Sequence, residues 1–459
     1  MGRTALPVMR RLGPMGHPAR LTVAGFAAIT LVGAVLLTLP IASETGDWTG
    51  PVTALFTATS AVCVTGLVVV DTATYWSPFG EAVVLGLIQI GGLGIMTAAS
   101  LLGLLVARRM GLRMQLVAQA ETKTLRLGET RRVVVGVVAM SAVVELVTAA
   151  ALTGRRLADT AESFGQAVYF GVFHAISAYN NAGFALHEDS LVRHAGDAWI
   201  VVPVTAAFIV GGIGFPVVFE LGRALGARVR GARIPGWSLH TKITVLTYAG
   251  LLLTGIVLVT ASEWANPATL GPMSLPGKLL AGAFQGATPR TAGFNTVDVG
   301  AMHPTTLLVN DALMFIGGGS AGTAGGIKVT TFALLAFVIS AEVRGQPTVH
   351  VMGRRLAAAV QRQAITVALL GVAAVLVATL ILLRLSQLPL DAVLFEVVSA
   401  FGTVGLSTGI TADLPAAGHL LLIVMMFIGR VGPITLASAL ALREHERRYE
   451  LPEERPIVG

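Results

Sequence analysis

Apolar runs of about 20 residues, the length that crosses a bilayer core, constrain this chain more than any other feature. They recur near 21–40, 79–106, 132–152, 198–221, 240–262, 305–340, 362–384 and 417–442. Only 12% of the residues are charged against 54% hydrophobic, whereas a soluble globular chain carries roughly 25% charged residues. The sequence is therefore read as an integral membrane protein with eight transmembrane spans. Arg3, Arg10, Arg11 and Arg20 ahead of the first run imitate a signal peptide, but no small-residue cleavage site follows and further spans come later. The first run is read as a span.

The net charge of +7 is explained by where the basic residues fall. They collect in the N-terminal tail, in 107–133, 222–243 and 341–363, and in the C-terminal tail, which are alternate connections. Short loops rich in Lys and Arg stay cytoplasmic, so both termini are expected inside. Trp48, Trp76, Trp199 and Trp264 lie on the poorly charged side, as interfacial anchors do. The surplus is thus topology, with anionic lipid or a cytosolic partner as its secondary use and no role for nucleic acid. Cys63 is the single cysteine and excludes an intrachain disulfide framework. No spacing of metal ligands or of a nucleophile and its base is present, so the chain is not read as an enzyme.

A tandem pattern underlies the spans. After each odd span comes an apolar segment too short to cross, then a small polar stretch: Val62-Cys63-Val64-Thr65-Gly66-Leu67, Asn180-Asn181-Ala182-Gly183-Phe184, Arg290-Thr291-Ala292-Gly293-Phe294 and Gly402-Thr403-Val404-Gly405-Leu406. The glycines recur at intervals of about 110 residues. The expected fold is an all-α membrane protein of four tandem helix, pore helix, helix repeats around a pseudo-fourfold pore. Non-helical backbone at membrane depth survives only when buried in protein or lining water, and four such strands around one axis make a ring of carbonyls that replaces a cation's hydration shell. Glycine admits close approach there, the short helices aim their negative ends at the ion, and Pro51 and Pro276 suit their first turns.

With these residues in view, the chain resembles the Trk/Ktr/HKT superfamily of potassium transport proteins, and its eight spans and short tails are most similar to the Ktr-type membrane subunit. Phe427-Ile428-Gly429-Arg430-Val431-Gly432-Pro433 in the last span is similar too. The resemblance implies potassium as the transported ion, held at filter carbonyls of Val64, Thr65, Gly66, Asn181, Ala182, Gly183, Thr291, Ala292, Gly293, Thr403, Val404 and Gly405. Glycine rather than serine at Gly66 favours potassium over sodium, and sodium stands as a second candidate ion. It further implies a homodimer in the inner (cytoplasmic) membrane and a cytosolic nucleotide-binding regulatory subunit of the RCK, KtrA-like kind. The basic loops 107–133 and 341–363 are its docking candidates, and no organic cofactor is expected.

The sixth run is interrupted by Gly317, Gly318, Gly319, Ser320, Ala321, Gly322, Thr323, Ala324, Gly325 and Gly326. Each glycine costs a helix up to about 1 kcal/mol relative to alanine, so the span should break there. The resemblance makes 317–326 an intramembrane gate under the filter. Phosphate-loop and dinucleotide readings fail, because Lys328 is followed by Val329 and Gly212-Ile213-Gly214 by Val217 where a third glycine is required. Arg430 at mid-span costs at least about 2.5–3.5 kcal/mol unless it finds acceptors; it reads either as a structural arginine bonded to neighbouring carbonyls or, as the resemblance implies, as a residue that borders the pore and bonds that loop. Glu396 is expected to brace the filter scaffold, while Glu145 has no assigned role. The layout reads as tail 1–19, repeats at 20–106, 131–224, 239–340 and 359–443, and tail 444–459. The rival readings are a sodium or non-selective cation transporter, a secondary transporter with broken helices, and a scaffold without transport.

Overall fold

The computed structural model describes residues 18–94, 130–159, 163–233 and 236–432. Residues 1–17, the basic segment 107–129 and the C-terminal tail lie outside them, so the tail assignments and most of the first basic loop do too. The described chain is almost wholly helical. Its order is α1 (Pro18–Thr38), α2 (Pro51–Cys63), α3 (Thr72–Tyr75), α4 (Pro78–Leu93), α5 (Thr130–Asp159), α6 (Phe164–Tyr179), α7 (Ala198–Ile213), α8 (Phe215–Val229), α9 (Leu239–Glu263), α10 (Leu275–Ala287), α11 (Pro304–Phe315), α12 (Val329–Val343), α13 (Ala358–Ser386), α14 (Leu390–Gly402) and α15 (Ala416–Val431). A small hairpin, β1 (His350–Val351) and β2 (Arg354–Arg355), precedes α13. Met352 and Gly353 both have positive φ, as a two-residue hairpin turn demands.

Among the described residues three helices are long and apolar enough to cross a membrane, Val133–Ala158, Leu239–Glu263 and Ala358–Ser386. They present lipid-sized side chains outward, among them Leu146, Leu253 and Leu380. The other apolar helices are shorter. Local sequence sets their ends. Pro51 and Pro276 stand in the first turn of α2 and α10, Ser163 and Gln166 form a reciprocal capping box on α6, and Ser238 caps α9. Each cap satisfies an amide that has no partner inside its helix.

Two expectations change here. The run at 198–221 is not one straight span: α7 and α8 meet at 108°, because Gly214 takes φ +97°, a conformation that breaks the helical ladder. Trp76 is no lipid anchor, being 2% exposed and packed edge-on against Tyr75. The sixth run does break, between Phe315 and Val329.

The packing is cyclic. Each long outer helix lies on the short helix and inner helix that follow it: α1 on α2 and α4, α5 on α6 and α7, α9 on α10 and α11, α13 on α14 and α15. Each inner helix also touches the short helix of the next unit, α4 on α6, α7 on α10, α11 on α14 and α15 on α2. The last contact closes the circuit. Phe56, Phe173, Phe284 and Phe395, at corresponding positions of the four short helices, are fully buried.

Candidate functional site: a closed ring of four strands

At the end of each short helix the chain changes hand. Val64, Asn181, Thr291 and Thr403 have φ between +49° and +71°, and the glycine two residues later again has positive φ: +93° at Gly66, +71° at Gly183, +76° at Gly293 and +91° at Gly405. Non-glycine residues are rare in this region, and four at corresponding positions signal an imposed conformation. The amide between them turns back into the short helix. Thr65 N donates to Ser60 O at 2.7 Å, Ala182 N to Ser177 O at 2.8 Å, Ala292 N to Thr288 O at 2.9 Å and Val404 N to Ser399 O at 2.9 Å. Alternating backbone hands gather N–H groups on one side, and the carbonyl oxygens of Thr65, Ala182, Ala292 and Val404 lie against glycines of neighbouring strands.

Their mutual contacts form a circuit. A Cβ built on Gly66 would fall against the Ala182 carbonyl oxygen, one on Gly183 2.6 Å from Gly293 Cα, one on Gly293 2.6 Å from Val404 O, and one on Gly405 against Thr65 O. Strand one therefore meets two, two meets three, three meets four, and four returns to one. Thr65, Ala182, Ala292 and Val404 are buried. These contacts bring together Thr65, Gly66, Ala182, Gly183, Ala292, Gly293, Val404 and Gly405, and Asn181 Nδ2 donates to Thr291 Oγ1 at 3.4 Å.

Sequence reading missed the hydroxyls that hold these strands. Ser60 Oγ and Ser399 Oγ accept from Gly66 N at 3.0 Å and Gly405 N at 3.1 Å. Ser177 Oγ and Thr288 Oγ1 instead donate to Phe184 O at 2.7 Å and Phe294 O at 2.6 Å. The signal was a Ser or Thr five or six residues before each glycine, visible only once the glycines are aligned. Arg290, at the head of the third stretch, had no role assigned from sequence, yet it is 1% exposed and its guanidinium donates to Leu313 O on α11.

The segment 317–326 runs along the helix-terminal side of the ring. Gly319 N donates to Gly212 O at 2.8 Å, Thr323 N to Gly211 O at 3.2 Å and Gly326 N to Gly429 O at 3.3 Å, so the segment borrows the free carbonyls of α7 and α15. Thr323 Oγ1 donates to Asn181 Oδ1 at 2.7 Å, and a Cβ on Gly325 would strike Thr403. Two ring strands thus rest on it. The Arg430 guanidinium donates to Thr323 O in this segment and to Gly91 O on α4, while Lys328 Nζ donates to Ala324 O. Gly317 N bonds Ile327 O at 2.7 Å and closes the base of the loop, with Gly318, Ser320 and Gly322 between its two ends.

A second regularity was not read from sequence. Gly91-x-x-Gly94, Gly211-x-x-Gly214 and Gly429-x-x-Gly432 end α4, α7 and α15, and the last glycine of each has φ of +80°, +97° and +90°. The first glycine of each admits the carbonyl of Val62, Tyr179 or Phe401 into the space of its missing Cβ. Glu396 lies behind the fourth strand, accepting from Ser407 Oγ at 2.8 Å and from Thr411 Oγ1. Glu145 joins three helices: Ser141 Oγ donates to it at 2.6 Å, Gln89 Nε2 from α4 at 3.0 Å, and Asn180 Nδ2 at 3.4 Å. Among the described residues no group of three or more His, Cys, Asp or Glu is placed to hold a metal ion. The ring's oxygens are backbone ones, suited to a weakly held monovalent cation.

Comparisons with known proteins agree with this architecture. The TrkH family, described as cation transport protein, matches residues 22–448. The chain is 40% identical to the Ktr system potassium uptake protein B of Bacillus subtilis, over 94% of this chain and 95% of that protein. It is 37% identical to the protein of the same name in Vibrio alginolyticus, over 99% and 98%. Identity to the potassium/sodium uptake protein NtpJ of Enterococcus hirae is 33%, over 98% of each chain. The crystal structure of the potassium transporter TrkH from Vibrio parahaemolyticus shares the fold, with a TM-score of 0.68 at 19% identity, covering 92% of this chain and 85% of that one. Sequence, ring and relatives lead to one conclusion: the chain is a multi-pass membrane protein that belongs to the TrkH family of cation transport proteins.

Proposed function

We propose that this chain carries potassium across the inner membrane through the ring of four strands. In this reading eight spans in four tandem units, 20–106, 131–224, 239–340 and 359–443, surround a pseudo-fourfold pore, and the carbonyls of the twelve ring residues replace the ion's water. The observation that carries the reading is the closed circuit of four strands with positive φ, in which Thr65, Ala182, Ala292 and Val404 turn their amides back to the short helices. Potassium uptake in two relatives by name supports the choice of ion, as does glycine at Gly66.

Segment 317–326 is the gate, with Gly317, Gly318, Gly319, Ser320, Gly322, Thr323, Gly325 and Gly326 as its movable part and Arg430 as its latch. The hydrogen bonds of Arg430 to Thr323 and Gly91 support this assignment. The protein works as a homodimer with both termini cytoplasmic, and a cytosolic nucleotide-binding regulatory subunit docks on the basic segments 107–133 and 341–363. The potassium/sodium name of the Enterococcus relative favours a second reading in which sodium also passes.

Rubidium uptake into proteoliposomes containing the purified chain tests the proposal. Uptake above protein-free vesicles, resisted by excess sodium, is expected. Equal inhibition by sodium and potassium would select the second reading, and no uptake with or without a regulator would overturn transport.

A further inference from the structure

Aligning the short helices by Ser60, Ser177, Thr288 and Ser399 exposes another layer of polar residues one helical turn earlier: Thr57, His174, Gln285 and Glu396. All four are buried, at 2%, 0%, 1% and 0% exposure. Burying polar groups at one level of four apolar helices is costly without hydrogen bonds, and three of the four make one to the chain just past the ring glycine. Gln285 Oε1 accepts from Thr296 N at 3.0 Å, and Thr296 lies three residues after Gly293. His174 Nδ1 donates to Phe170 O at 2.9 Å, which leaves Nε2 to accept from Leu186 N at 3.4 Å; Leu186 lies three residues after Gly183. Glu396 accepts from Ser407 Oγ, two residues after Gly405, and from Thr411. His419 Nε2 in turn donates to Thr411 O at 2.8 Å.

We infer that His174, Gln285 and Glu396 in this outer layer are positioning residues that fix the far ends of the second, third and fourth strands, and so set how tightly the ring discriminates between cations. The inference rests on the ring being the ion path. The hydroxyl layer holds each strand at its glycine or the residue after it, and the outer layer holds three of them where they leave the ring. A strand pinned at both ends keeps its carbonyls at one spacing, whereas a strand pinned at one end relaxes around a smaller ion. Three different chemistries, imidazole, amide and carboxyl, serve here as acceptors for the same stretch of chain, which marks the shared task as accepting a hydrogen bond rather than carrying charge.

The test uses the full chain in proteoliposomes and measures the ratio of rubidium to sodium uptake. Gln285→Leu and Glu396→Leu remove the acceptors and should lower that ratio about tenfold, the scale of one lost buried hydrogen bond. Gln285→Glu and Glu396→Gln keep an acceptor oxygen and should hold it within about twofold. Ser407→Ala removes the partner of Glu396 from the half-buried exit loop, leaves the short helix untouched, and should lower the ratio if the leucine variants do not yield folded protein. Gly66→Ser is measured alongside. If Gly66→Ser lowers the ratio while the leucine variants and Ser407→Ala preserve it, the outer layer does not set selectivity. A ratio unmoved by Gly66→Ser as well overturns the ring itself as the filter, and failure of the conservative variants to retain the ratio overturns hydrogen bonding as the cause.

Discussion

At Gly66 a φ of +93° and the carbonyl of Ala182 occupy the space a Cβ needs, so Gly66→Ser must shift one strand of the ring against its neighbour. Strain of about 1–3 kcal/mol is expected for an L side chain held there, and the shift widens one gap between carbonyls. The expected outcome is a lower rubidium-to-sodium uptake ratio per folded molecule, with an unaltered ratio counting against the ring. Gly86 supplies the contrast, since nothing lies within 4 Å of a Cβ built there in the interior of α4. Gly86→Ala should leave transport unchanged and stabilise by up to about 1 kcal/mol, read from thermal unfolding in detergent. The four ring glycines were legible because their pattern repeats. The hydroxyls at Ser60, Ser177, Thr288 and Ser399 were not, because buried Ser and Thr are unremarkable in a membrane helix until the amide each one serves is known.

Between elements, Arg430 is the most consequential contact. Its guanidinium, with five donors and no acceptor, joins the 317–326 segment to α4 through the carbonyls of Thr323 and Gly91. Arg430→Ala leaves those carbonyls unpaired at a cost of about 1–3 kcal/mol each, and should raise basal rubidium uptake per folded molecule. Lysine should rescue partly, since it keeps the charge without the planar fork. An unchanged normalised flux in Arg430→Ala would reduce the contact to a structural one. Removing several residues of 317–326 should likewise raise flux in protein that still elutes as a folded species, and lower or equal flux would sink the gate. The 185–197 connection carries His187, whose pKa burial and then the Arg193 charge push down to about 4. The unfolded chain, with His near 6.5, binds the proton first, so this group's contribution is complete above pH about 6.5 and is lost as pH falls toward 4. Protection of 185–197 against hydrogen exchange, after correction for the pH dependence of the intrinsic rate, should fall as pH drops through that window in the wild type and less so in His187→Asn.

For the molecule as a whole, the exposed hairpin Arg354 and Arg355 with nearby Arg344 presents the basic surface that the sequence assigned to a cytosolic regulator. Arg354→Glu with Arg355→Glu should abolish regulator-stimulated uptake while changing stability by no more than about 0.5 kcal/mol, as surface substitutions do. Retained stimulation would move the docking surface elsewhere. The sequence alone determined the class, the four recurring glycines and the break in the sixth run, because apolar length and glycine recurrence act locally along the chain and leave a periodic trace. It did not determine that α7 and α8 bend by 108° at Gly214, that Trp76 is interior, or that Glu145 joins Gln89 to Asn180 across three helices. Those depend on partners brought together only by the cyclic packing, in which every inner helix meets the next short helix around the molecule. A glycine's missing Cβ says that something approaches, and only the assembled circuit decides whose carbonyl it is.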